Sequence, residues 1–192
     1  NQILIMSNQK QNFLSQKEML DLKIKKVGKN VLISKDARLY NTSSIVIGDN
    51  SRIDDFCIIS GNIKIGKNVH IAPQCIINGG KSLIEFGDFS GLAFGVKVLG
   101  ISDDYSGKTM TNPTINKELK NVQDLSIKLG KHVIIGANSV VLPGCKMGDG
   151  SALGALSLLT KNVNAFEIYF GMPARKINDR KRNILELEKN LK

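Results

Sequence analysis

An aliphatic side chain at every sixth residue constrains this chain more than any other feature of its sequence. The series runs Val27, Ile33, Leu39 and, after a slip of two residues, Ile47, Ile53, Ile59, Ile65, Ile71, Ile77 and Leu83. A slip of three around Gly79-Gly80-Lys81 resets it to Phe86, Leu92 and Val98, and after a gap it returns at Leu129, Ile135, Val141, Met147, Leu153 and Leu159. Gly follows directly at Gly28, Gly48, Gly66, Gly87, Gly130, Gly136, Gly148 and Gly154. This period fits a chain that makes one short strand and then turns a corner. Three repeats, ~18 residues, close a triangular coil, and coils stack as parallel strands ~4.8 Å apart. The expected fold is all-β, a parallel β-solenoid of about six coils over residues 27–164. The first residue of each repeat and the small residue four positions later point inward.

Composition agrees. Hydrophobic residues make up 42% of the chain, aromatics only 5%, and Trp is absent, so the core is built from Ile and Val, which favour strands. Cys57, Cys75 and Cys145 each fall on the fifth position of a repeat, where a small buried residue belongs. Three cysteines make no paired framework, although a catalytic thiol or a single disulfide stays open on sequence alone.

The solenoid is flanked on both sides and interrupted once. Residues 1–26 form a tail and a short helix over 13–22, opened by a capping box of Ser15 and Glu18 with Leu14 placed to staple the first turn. Residues 165–192 form a C-terminal segment and a helix with Ile177, Ile184, Leu187 and Leu191 on one face. Residues 102–128 form a polar loop that leaves the fourth coil and returns into the fifth. It opens on Ser102-Asp103-Asp104-Tyr105-Ser106-Gly107, and loops on a rigid framework are free to carry chemistry.

The formal charge is +10, but the basic residues are scattered and no nucleic-acid-binding motif is present, which favours phosphorylated small ligands over nucleic acid. No apolar run approaches the ~20 residues of a membrane span. The N-terminal Ile3-Leu4-Ile5-Met6 is too short for a signal-peptide core, so a cytoplasmic location is expected.

The repeats, the interrupting loop, the Leu159-Thr160-Lys161 step and the ending Gly171-Met172-Pro173-Ala174-Arg175-Lys176-Ile177 together resemble the hexapeptide-repeat acyltransferases, in particular the maltose, galactoside and polysaccharide O-acetyltransferase group. That resemblance implies a left-handed β-helix, acetyl-CoA as co-substrate, no metal, and a homotrimer with active sites between adjacent subunits. It places Ala137 and Ala155 along the pantetheine arm, Thr160 and Lys161 at the nucleotide end, and Arg175 and Lys176 near CoA phosphate. Small residues let a ligand approach the backbone, and Lys and Arg neutralise phosphates.

Acyl transfer needs a base for the acceptor's proton. In the resembled group it is a loop histidine, yet here the matching position falls at or beside Asp104. The chain has only His70 and His132. His70 is expected outward on a strand beside Arg52, and the reading favoured by the sequence is a dyad of His70 with Asp103 or Asp104 at a subunit interface; the alternative is a structural His70 with an Asp alone as the base. His132 reads as a corner residue near the cofactor groove, with a role as the base the lesser alternative. Asp54 and Asp55 could line the same cleft as His70. Tyr105, Ser106 and Asn112 are candidate sugar contacts.

The expected activity is transfer of an acetyl group to a sugar hydroxyl of a surface polysaccharide or small glycoside. An N-acetyltransferase of nucleotide-linked amino sugars is the alternative. Its relatives carry a base histidine nine residues before the position of His70, where this chain has Gly61. A non-catalytic scaffold also stays open, whereas two histidines cannot supply the three ligands of a zinc carbonic anhydrase on this scaffold.

Overall fold

The computed structural model describes residues 12–191. Its strands form three parallel sheets, the faces of a triangular solenoid. The first sheet stacks Lys26–Val27, Ile45–Ile47, Ile63–Ile65, Ile84–Phe86, Ile127–Leu129 and Lys146–Met147. The second stacks Leu32–Ile33, Arg52–Ile53, His70–Ile71, Gly91–Leu92, Ile134–Ile135, Ala152–Leu153 and Glu167–Phe170. The third stacks Arg38–Tyr40, Ile58–Ser60, Ile76–Asn78, Lys97–Leu99, Val140–Val141 and Leu158–Leu159.

Register follows the repeat. On the second sheet Ile53 pairs with Ile71, Ile71 with Leu92, Leu92 with Ile135 and Ile135 with Leu153, and all of them are buried. Like side chains therefore stack coil upon coil, and their alternation with outward residues is the period-two pattern of a strand. One repeat position is corrected: Leu83 lies outside the ladder, and Ile84 and Phe86 fill the core opposite Ile63 and Ile65. The extra residues of the slip at Gly79-Gly80-Lys81 shift the inward face by one.

The cysteines are free and buried. The Cys57 thiol donates to the Ala72 carbonyl at 3.1 Å and the Cys75 thiol to the Ala93 carbonyl at 3.2 Å. The hydrogen bond with Cys75, together with burial, pushes the Cys57 thiol up, and burial does the same at Cys145. The same contact with Cys57 lowers the Cys75 thiol, but all three are buried among the core side chains, as small core residues.

Helix α1 spans Gln16–Asp21 and carries the capping box: Ser15 N–H donates to Glu18 Oε2 at 2.7 Å and Glu18 N–H to Ser15 Oγ at 3.3 Å. It is shorter than expected. Phe13 instead bridges antiparallel to Ser34 against the first coil, a backbone pairing that a helical Phe13 could not make.

The C-terminal region departs further from its helical pattern. Arg175–Asp179 forms a strand antiparallel to Glu167–Phe170, which closes the second sheet, so Ile177 belongs to this hairpin. Only Ile184–Lys189 is helical, α2. An edge strand with unpaired backbone groups is a liability, and the hairpin covers the last coil with its own chain. Arg180 fastens it, donating through Nη1 to the carbonyls of His132 at 2.8 Å and Gly150 at 3.0 Å.

Helix α2 docks through Glu188, which accepts from Lys131 Nζ and from His132 Nε2. Lys131 and then His132 hold the Glu188 carboxyl below its ordinary value of 4.5. A carboxyl lowered in the folded state contributes fully above its unfolded pKa and loses that contribution as pH falls through the folded value. Amide-exchange protection of α2 is therefore expected to fall as pH drops below about 4.5, and Glu188→Gln to weaken it at neutral pH and remove this dependence. Protection in the variant that still follows pH as in the parent would contradict the assignment.

Candidate active site

His70 and Arg52 are Cα partners in successive coils, outward on the second sheet. The partner of His70 within the chain is neither Asp103 nor Asp104 but Asp54: His70 Nε2 lies 2.8 Å from Asp54 Oδ2, and Asp54 Oδ1 accepts from Arg52 Nε at 2.6 Å. Asp54 follows Arg52 by two residues and so returns to the same face. Its side chain is 9% exposed while that of His70 is 54% exposed, so the carboxylate is shielded and the imidazole is presented. With Nε2 carrying its hydrogen toward Asp54, Nδ1 is left as an acceptor. In the next coil the partner of His70 is Gly91. A Cβ there would find only the His70 carbonyl oxygen, at 4.0 Å, so one flank of the imidazole is bare.

The loop forms the second part of the site. Its neck is a two-stranded antiparallel ribbon, Ile101–Ser102 with Gln123–Asp124. The Asp124 carboxylate accepts from the N–H groups of Lys81 at 2.8 Å and Ser82 at 3.1 Å. Against the burial that opposes them, these bonds hold its carboxyl below the usual range. A Cβ on Gly80 would lie 2.3 Å from Asp124 Oδ2. The three-residue slip in the repeat is thus the seat for the loop's neck, and a side chain at Gly80 would push the Asp124 carboxylate from it.

Inside the loop the two aspartates differ. Asp104 accepts from Ser106 N–H at 2.8 Å, Ser106 Oγ at 2.9 Å and Thr109 Oγ1 at 2.9 Å, and the Ser106 backbone bond leads the group that lowers its pKa. A carboxylate so satisfied is a weak base; it holds the turn. The Asp103 carboxylate accepts one bond in the loop, from Asn112 N–H to Oδ2 at 3.2 Å, and Asp103 lines a groove of about 490 Å³ with Leu99, Ser102, Tyr105, Gln123, Leu142 and Thr160 among its walls. Asn112 accepts from Thr114 at N–H and Oγ1, and like Ser106 it builds the loop. Tyr105, 95% exposed, projects from it.

The cofactor candidates also separate. Ala137 and Ala155 stack one coil apart at the corner after the second sheet, where Leu156 N–H donates to the Ala137 carbonyl. Thr160 is in the groove wall, and Lys161 and Arg175 are exposed. Lys176 is engaged, with Nζ 2.8 Å from Glu167 Oε1 and 2.7 Å from Asp179 Oδ1; these carboxylates raise its pKa. His132 is held in the packing of the C-terminal region. Its side chain is 11% exposed, it bonds Glu188, and its ring stacks on Phe89 at 5.0 Å. Among the described residues no cluster of three or more His, Cys, Asp or Glu could hold a metal, and no helix is long and apolar enough to cross a membrane.

Residues 44–79 and 126–161 match the family described as bacterial transferase hexapeptide (six repeats), with the loop between the two matched stretches. The dTDP-4-amino-4,6-dideoxy-D-glucose acyltransferase of Escherichia coli is 38% identical over 179 residues, 92% of this chain and 93% of that protein. The chain belongs to the hexapeptide-repeat transferases. As a member of that family it has the left-handed parallel β-helix, and it is an acyltransferase. A crystal structure of AntD, an N-acyltransferase from Bacillus cereus, in complex with dTDP and 3-hydroxybutyryl-CoA superposes with a TM-score of 0.91 at 46% identity, covering 93% of this chain and 95% of that one. The galactoside O-acetyltransferase of Escherichia coli K12 is 33% identical over 78 residues, 38% of each chain.

Gly61, the position that spoke against an amine acceptor in this transferase, has φ +104, and a Cβ there would meet the Gly79 carbonyl oxygen at 2.3 Å. Backbone geometry excludes any side chain at that corner. Its lack of a histidine therefore carries no information about the acceptor.

Proposed function

We propose that this acyltransferase moves an acyl group from acyl-CoA to the amino group of a nucleotide-linked amino sugar, of the kind dTDP-4-amino-4,6-dideoxyglucose represents. The observation that carries this reading is likeness along the whole chain to two proteins described as acting on such a substrate or binding dTDP. The O-acetyltransferase likeness spans 38% of the chain. The order of the two readings drawn from the sequence is thereby reversed, with the amine preferred to the hydroxyl.

In this mechanism the sugar amine attacks the thioester carbonyl carbon. The new C–N bond forms, the C–S bond breaks, and CoA leaves as its thiol. His70 Nδ1 accepts the amine's proton and returns it to the sulfur. Asp54 holds the imidazole and stabilises its protonated form. Ala137 and Ala155 leave room for the pantetheine arm, Thr160 adds a hydroxyl, and exposed Lys161 and Arg175 meet the phosphates.

His70 lies on the second sheet and bonds Asp54, while the groove lined by Asp103 is walled by Leu99 of the third sheet and by the loop. A homotrimer would join them, with Asp103 or Asp104 of one subunit facing His70 of the next and Asp103 placed to bind the cationic or neutral amine. A comparison of kcat/KM for dTDP-4-amino-4,6-dideoxyglucose with that for a simple galactoside, at one acyl-CoA concentration, tests the reading. Preference for the amino sugar is expected; preference for the galactoside would restore O-acylation.

A further inference from the structure

Asp54 can orient His70 only if its own carboxylate is held, and the surface of a β-helix offers few groups to hold it. Arg52 and His70 stand side by side on the outside of the second sheet, an arrangement of two bases that a strand pair disfavours when both are charged. Asp54 lies between them and gives one oxygen to each, Oδ1 to Arg52 and Oδ2 to His70. Turning the carboxylate would break one of these bonds. Arg52 is steadied in turn, with its guanidinium carbon 5.2 Å from the centroid of Phe13, within the range of a cation–π contact. Phe13 is fixed by its bridge to Ser34.

We infer that Arg52 is a positioning residue for acyl transfer, acting through Asp54 to keep the His70 imidazole turned with its free nitrogen outward toward the acceptor. The inference rests on the proposed role of His70. Arg52 touches neither substrate in this arrangement, so its loss weakens proton transfer more than substrate binding. Lys in its place can still neutralise Asp54, but its ammonium is a point charge on a flexible stem and lacks the directed Nε–H of a planar guanidinium that holds Oδ1.

The test measures kcat, KM, melting temperature and oligomeric state for Arg52→Gln, Arg52→Lys, Asp54→Asn and His70→Ala with the amino sugar and acyl-CoA. Arg52→Gln is expected to lose about tenfold in kcat, a part of the ~10²–10⁴ that a positioned base supplies, with KM for both substrates within about twofold of the parent. Arg52→Lys is expected to recover part of the loss. Parental kcat in Arg52→Gln, alongside impaired Asp54→Asn and His70→Ala, would overturn the role of Arg52 and leave His70 as base. Parental kcat in His70→Ala would overturn both. A fall in KM-independent rate that tracks melting temperature and is equal in the Gln and Lys variants would mark Arg52 as structural and also overturn the inference.

Discussion

His70→Ala is expected to lower kcat by about two to four orders of magnitude, the contribution of a positioned general base. Its melting temperature should change little. The His70 side chain is 54% exposed and points away from the core, and its removal does not strand a buried charge because Asp54 keeps Arg52. Asp54→Asn acts in the same direction with a smaller loss, since the amide oxygen can still accept from Nε2–H but no longer stabilises a charged imidazole. Asp103→Asn should appear in KM for the acceptor, because Asp103 lines the groove. Asp104→Asn should instead loosen the loop held at Ser106 and Thr109. Near-parental kcat in His70→Ala would remove the base while leaving fold and family untouched.

Ile71→Ala is expected to cost about 2–5 kcal/mol in stability. Ile71 is fully buried and stacks between Ile53 and Leu92. In a solenoid each coil contacts only its neighbours, so a cavity in one weakens both interfaces it shares. For a chain of this size the melting temperature should fall by roughly 5–15 °C. Lys146, exposed on the outer face of the first sheet, gives the contrast: Lys146→Ala should stay within about 0.5 kcal/mol. Equal losses at the two positions would show that the inward ladder does not carry the stability.

The solenoid was legible because its energetics repeat with its sequence. Ile53, Ile71, Leu92 and Ile135 occupy equivalent places, so one rule read at many positions reports one core. The end regions obey no repeat. Ile177 looked like part of a helical stripe, but the hairpin that places it on a strand depends on backbone pairing with Glu167–Phe170, which no side-chain period announces. The slip at Gly79-Gly80-Lys81 was visible as a break, while its cause, the Asp124 carboxylate from the far end of the loop, is a contact across some forty residues.

The site was half legible for the same reason. His70 was expected outward beside Arg52, and that follows from register alone. The sequence pairs it with Asp103 or Asp104 of the loop across a subunit interface; within the chain its carboxylate is Asp54, a corner residue of the neighbouring coil. The usable signal was the spacing: Asp54 shares the face of Arg52 two residues earlier, and Arg52 is eighteen residues before His70, one coil in this solenoid. Gly61 misled in the opposite direction, since an absent histidine was read as chemistry where only a glycine fits the turn.

The bond formed in the product tests the central claim most directly. The protein is incubated with acyl-CoA and dTDP-4-amino-4,6-dideoxyglucose, and the product is weighed by mass spectrometry before and after treatment with hydroxylamine, which cleaves esters and spares amides. One acyl group that survives the treatment, with one free CoA thiol released per turnover, is the predicted result. An acyl group lost to hydroxylamine would place it on a sugar hydroxyl and contradict the account.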